Sequence, residues 1–431
     1  MKVKSLEAIR SAFRAELAEL KTIPKLPEEG RWEYHRRPEG GWQGDLRSKP
    51  SFFDLHRHKI IDTLAAEVEK TLQDEYPEYL RAVGTPMVRG ALQPALMLNQ
   101  LAHEAYKRFD TFALTGEQID AILVDVVRFF DRKTILLRIY APVLNLRGAR
   151  DTPPIAFPDQ VILRPMTDEE CTRFYGGNPI FQFRRIPIGF PDFVFIKEIE
   201  VPKITGSFET HDTNPLKPIW ENLDLCLLAL ATFKDSGAIG YDGAYITSAE
   251  FSLGIVSGDH HLFGNESLPL GSYEITSNEA PEIETHASFF SCLHPALEMA
   301  SQRLVDSGRR TKARDTVVDV VIGLETILLS NIDERTELRF RFSLNYAALF
   351  AKKEREAAFF TARDLYDLRS KIAHGASPGE KNRINGKDLT IAEAATLARS
   401  MLRKTIVMFI SNARNPDFMA ERYWISKELG L

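Results

Sequence analysis

The sequence predicts an α+β multidomain protein, with a helical N-terminal region, a central mixed α/β region and an all-α C-terminal bundle. Three observations carry that expectation. Apolar residues recur at helical spacing through residues 1–110 and again from 291 to 431. Runs of β-forming residues bounded by Pro and Gly concentrate in 111–290. A chain of 431 residues also exceeds the usual size of one domain.

In the first region helices are expected over 5–21, 53–73 and 92–108, the first with Leu6, Ile9, Phe13, Leu17 and Leu20 on one face. Between the first two lies a Pro/Gly/Arg-rich stretch from Pro24 to Pro50, carrying Trp32, Tyr34 and Trp42 among Arg31, Arg36, Arg37 and Arg47. It reads as a long loop pinned to the body by its own aromatics and arginine stems. The central region opens with a helix over 118–132, followed by strands over 134–140, 160–164, 192–199 and 244–255. After Pro281 the β signals stop, and the rest is expected to be helical. Helices are read over 291–306, 311–330, 333–351, 354–374 and 390–412, with a short one from Pro416. Short connections between them imply an antiparallel bundle.

Composition narrows the function. With 44% hydrophobic and 27% charged residues the chain can bury cores, which excludes disorder as a description of the whole. Cys171, Cys226 and Cys292 are too few and too scattered for a disulfide framework or a four-thiolate zinc site, so a reducing cytoplasm is expected. The N-terminal helix carries Glu7, Arg10, Arg14 and Glu16, unlike the apolar core of a signal peptide. The run Leu223 to Phe233 contains Asp224 and is too short to span a bilayer, so no membrane partner is expected. Charge is uneven. Residues 301–431 hold 23 Lys and Arg against 17 Asp and Glu, a balance of +6, while residues 1–300 carry −11. The basic third is the part suited to a polyanion.

Several catalytic patterns are missing from the sequence: G-x-x-x-x-G-K-[ST], H-E-x-x-H, C-x-x-C, G-x-S-x-G and G-x-G-x-x-G. His260 and His261 read as a surface pair on a turn, and Cys171, behind Asp168, Glu169 and Glu170, as a structural thiol. Asp315 and Asp319 share a helix face, where Arg310 and Arg314 are their expected partners. No metal or cofactor is expected.

One constellation suits chemistry. Arg369 and His374 form R-x-x-x-x-H near the end of an amphipathic helix in the basic part of the chain, and Gly375 follows as a helix terminator. Arginine presents a fixed bidentate fork to phosphate oxygens, and histidine moves protons near neutrality. Together they meet the needs of 2′-OH attack on an adjacent phosphodiester. Residues five apart on a helix are rotated by about 140°, so a second copy of the helix is expected to complete the site.

The phrase Leu365-Tyr366-Asp367-Leu368-Arg369-Ser370-Lys371-Ile372-Ala373-His374-Gly375 resembles the signature of the Apea-like branch of the HEPN superfamily. Residues 318–329, with Glu325, resemble the family's upstream glutamate-bearing helix, and residues 342–350, with Asn345, the helix between. Two positions depart from the pattern: Ser370 follows the arginine where many members have Asn, Asp or His, and Asn345 stands where a basic residue is expected. The resemblance covers about residues 300–412. It implies a HEPN helical bundle over 291–431, with a mixed α/β sensing or regulatory domain over 111–290 behind the helical region 1–110. It further implies a metal-independent, homodimeric endoribonuclease of phage defence or a toxin system, acting on RNA with tRNA among the candidates. Its control would come from an antitoxin or a phage-derived trigger. Arg369 and His374 take the catalytic positions, and Ser370, Lys371, Tyr366, Asn345 and Glu325 the supporting or RNA-binding ones.

Overall fold

The computed structural model describes residues 1–22, 28–37, 42–50, 59–85, 89–175, 191–206, 217–235, 237–241, 243–253, 260–263, 272–330, 337–377, 379–411, 423–424 and 426–427. Helices and small sheets are mixed along the chain, as an α+β architecture requires. In the N-terminal layer α1 (Val3–Leu20) packs against α2 (Lys59–Glu75), α4 (Pro94–Phe109) and α5 (Gly116–Asp131), with α3 (Pro77–Arg81) between α2 and α4 in sequence. The buried stripe of α1 is Ile9, Phe13, Leu17 and Leu20, the helical periodicity read from the sequence. A capping box starts α5. Thr115 Oγ1 accepts from the Gln118 amide at 3.3 Å, and Gln118 Oε1 accepts from the Thr115 amide at 2.8 Å.

The stretch expected as a loop forms an antiparallel hairpin instead, β1 (Glu28–Arg36) against β2 (Trp42–Pro50). Its pinning is as expected. Tyr34 and Trp42 pack onto a small core of Tyr140, Met166, Cys171, Phe174, Tyr175, Val194 and Tyr245. Arg36 is buried, ion-paired to Asp192 at 3.2 Å, and donates to the Gly148 carbonyl at 2.5 Å. The side chains of Arg31 and Trp32 lie outside the described residues.

The central sheet is built from β3 (Thr134–Leu144), β4 (Ile155–Ala156), β5 (Ile162–Pro165), β6 (Phe193–Pro202), β7 (Gly243–Ser248) and β8 (His260–Phe263). Their order is β8-β7-β3-β6-β5-β4, with antiparallel neighbours throughout, and residues 240–241 pair separately with β3. His260 and His261 therefore lie on a strand rather than a turn, opposite Ile246 and Tyr245. The helix α6 (Asp168–Tyr175) buries Cys171, and α7 (Lys217–Phe233) buries most of the apolar run read from the sequence.

Beyond the sheet come α8 (Ala280–Ser288), α9 (Pro295–Arg309), α10 (Ala313–Leu328), α11 (Leu338–Ala348), α12 (Arg355–Ala373) and α13 (Ile391–Ser411). The bundle is not helical throughout: β9 (Asn382–Ile384) and β10 (Lys387–Leu389) form a hairpin between α12 and α13. Asn385 and Gly386 both have positive φ, 46° and 78°, the turn chemistry that an Asn-Gly pair favours. Ile384 is buried beneath it, and the Asn385 amide donates to Asp364 at 2.8 Å. The short helix expected from Pro416 falls largely outside the described residues. From the central region α7 packs on α9 and α13, and one apolar core runs from the N-terminal layer through the sheet into the bundle. Among the described residues no helix is long and apolar enough to cross a membrane.

Candidate active site

The motif sits on α12, whose Ala362, Leu365 and Leu368 bury one face against the bundle. The helix stops where Gly375 takes φ +83°, a conformation that a Cβ makes costly. The Gly375 amide donates to the Ile372 carbonyl and the Ala376 amide to the Lys371 carbonyl, both at 3.0 Å. This paired closure satisfies the free carbonyls of the last turn and leaves His374 at the helix end. His374 is exposed, and its ring makes no hydrogen bond or ion pair among the described residues.

Arg369 turns the other way. At 100° per residue it borders the buried face of α12, about 140° around the axis from His374. Its Nη2 lies 3.3 Å from Glu325 Oε2 on α10, 44 residues away in sequence. The Tyr366 hydroxyl donates to the same carboxylate. Burial pushes the Glu325 carboxyl above its usual range, against the opposing pull of Arg369 and Tyr366. The Tyr366 hydroxyl is raised too, by burial first and by the Glu325 charge second. The Nε of Arg369 is buried with no acceptor among the described residues, so within them the guanidinium is only partly satisfied.

The acids nearer in sequence are engaged elsewhere. Asp364 holds Arg363 at 2.8 Å as well as the hairpin amide of Asn385, and Asp367 accepts from Arg339 on α11 at 3.2 Å. Ser370 is half-buried and Lys371 exposed. Asn345 is set apart from this surface. It is buried on α11, where its Nδ2 donates at 2.7 Å to the carbonyl of Leu328, the last residue of α10. A cationic side chain there could donate to the same carbonyl but would have to bury its charge, which the neutral amide avoids.

The structure therefore gathers Glu325, Tyr366 and Arg369 into one contact, places Ser370, Lys371 and His374 at or beside the exposed helix end, and puts Asn345 beneath. Arg339, Arg363 and Phe360 also reach this surface. The sequence reading missed them, although Phe360, Arg363, Asp367, Ser370 and His374 fall at i, i+3, i+7, i+10 and i+14, the spacing of one helix face.

The other candidates are structural. The Cys171 thiol is pushed up by burial and then by Asp168 and Asp192, which leaves it inert as a nucleophile. Asp319 takes Arg310 at 2.6 Å and Arg303 at 3.4 Å, while Asp315 lies 3.5 Å from Arg314. Among the described residues no three His, Cys, Asp or Glu side chains gather as metal ligands. No family model matches the chain, and no curated protein or solved structure is significantly similar to it.

Proposed function

We propose that this protein is a metal-independent endoribonuclease of the HEPN type, an effector of phage defence or of a toxin system. Residues 1–290 sense its trigger or hold it in check, and residues 291–431 form the HEPN bundle. The observation that carries the reading is the end of α12, where an exposed histidine stands at a closed helix terminus five residues after an arginine with an unsatisfied Nε. In the reaction His374 removes the proton from a ribose 2′-OH. The oxygen attacks the adjacent phosphorus, and the bond to the 5′-oxygen breaks as that oxygen takes a proton. Arg369 neutralises charge on the phosphorane oxygens. One protomer supplies a single imidazole and a guanidinium about 140° away from it around the helix, so a homodimer with facing α12 helices supplies the second set.

A specific contact favours a second reading, a non-catalytic HEPN RNA-binding or dimerisation module. Glu325 draws Arg369 inward, where it serves the packing of α12 on α10. Purified protein incubated with total cellular RNA in EDTA separates the two. Catalysis predicts fragments with 2′,3′-cyclic phosphate and 5′-hydroxyl ends, and losses of about a thousandfold for His374→Ala, with an unchanged circular dichroism spectrum. Intact RNA, or equal cleavage by wild type and His374→Ala, rejects it.

A further inference from the structure

The outer face of α12 carries more than the motif. Phe340 on α11 is 52% exposed, and its ring centroid lies 5.8 Å from that of Phe359, which lies 5.5 Å from Phe360. Each ring meets the next nearly edge-on, and the Arg363 guanidinium sits over the Phe360 ring at 4.7 Å. Phe340 is exposed and Phe359 and Phe360 are half-buried, and aromatics left this open beside a stacked guanidinium do not serve the core, which α12 reaches through Ala362, Leu365 and Leu368.

Phe360 and Arg363 share their helix face with His374. By helical rise the distance from Phe360 to His374 is about 21 Å, the length of about six stacked nucleotides at ~3.4 Å each. The charge of the patch suits a polyanion. The two acids within it, Asp364 and Asp367, are already paired with Arg363 and Arg339. Lys371 is exposed in the last turn of the same helix.

We propose that Phe340, Phe359, Phe360 and Arg363 form a base-stacking subsite that holds unpaired nucleotides of an RNA strand and leads its backbone along α12 to His374. The subsite deepens the endoribonuclease reading and rests on it for the identity of the strand. Rings offer π-faces to any base, and the Arg363 guanidinium, held by Asp364, offers a stacking plane beside them, so the subsite selects unpaired RNA without selecting sequence. Duplex RNA, whose bases are already stacked, gains nothing from it.

The test uses the full-length chain as His374→Ala, which binds without cutting, and fluorescence anisotropy with two labelled probes. One is a 12-nucleotide single-stranded oligoribonucleotide; the other has the same backbone with abasic sites. The subsite predicts that the abasic probe binds roughly tenfold more weakly, since one stacked base contributes about 1–3 kcal/mol. Phe360→Ala, and separately the more exposed Phe340→Ala, should weaken the intact probe severalfold and leave the abasic probe unchanged. Phe360→Trp should retain binding. Equal affinity for both probes overturns the proposal. So does a loss in Phe360→Ala that falls equally on both probes, or one that accompanies a shift from dimer to monomer in light scattering, which makes the face a protein interface. If wild type fails to cleave RNA while base-dependent binding persists, the endoribonuclease reading falls and the subsite stands. Cleavage without base-dependent binding gives the reverse.

Discussion

Two helical layers of this molecule each hold a glutamate whose carboxyl is raised by burial, one fully buried and one half-buried, and the two are treated oppositely. Glu16 lies on the inner stripe of α1, 2% exposed, and among the described residues neither carboxylate oxygen has a hydrogen-bond partner. Burial alone pushes it up to about 8. Glu325 on α10 is likewise raised by burial, but Arg369 and the Tyr366 hydroxyl oppose the rise. An isolated carboxyl in a core stays protonated near neutrality, whereas a partnered one keeps its charge available to hold another group in place. The first is an untethered weak point in the N-terminal layer. The second ties α12 to α10 and sets the direction of the motif arginine.

The largest expected effect tests the isolated member. Below the unfolded value of about 4.5 Glu16 is protonated in both states and contributes no pH dependence. As pH rises toward 8 the unfolded chain releases its proton while the folded chain keeps it. Stability should then fall by up to about 1.4 kcal/mol per pH unit across that window and level off above it. Urea unfolding at a series of pH values, compared with Glu16→Gln, measures this. A Glu16→Gln variant that keeps the wild-type slope breaks the comparison.

Next in size is the conversion of the partnered glutamate into an isolated one. Arg369→Ala should cost about 2 kcal/mol, because the half-buried Glu325 loses its cation. It should also add a new stability loss at the alkaline side of the carboxylate range, where a further-raised Glu325 ionises only in the unfolded chain. A change in stability that does not vary with pH would show that the contact is steric. The smallest effect is Tyr366→Phe, about 1 kcal/mol from one hydrogen bond to the carboxylate, read as a lower urea midpoint with an unchanged slope against denaturant.

Much of this was legible in advance. The buried residues of α1, α5 and α10 follow the apolar spacing, and Gly375 marked the end of α12 because the αL conformation and the paired closing bonds suit glycine. The hairpin over residues 28–50 was not legible, since its charged, Gly- and Pro-rich residues resemble a loop until Tyr34 and Trp42 find the small core under the sheet. The Asn385-Gly386 turn was visible as a dipeptide, yet its flanking strands are only three residues each, too short for a β pattern.

The sequence by itself determined the local choices: where helices run, which face of each is apolar, and that an arginine and a histidine stand five residues apart at a helix end. Those follow from spacing and backbone preference, which act over a few residues. The partners of the charged groups were decided only by the tertiary structure. Arg369 has Asp364 and Asp367 within five residues, yet it turns to Glu325, 44 residues away, because helix packing sets which side chains face each other and the nearer acids are held by Arg363 and Arg339. Glu16 shows the same rule from the other side. A helical pattern placed it on the buried face, and among the described residues the surrounding helices bring no hydrogen-bonding group to meet it.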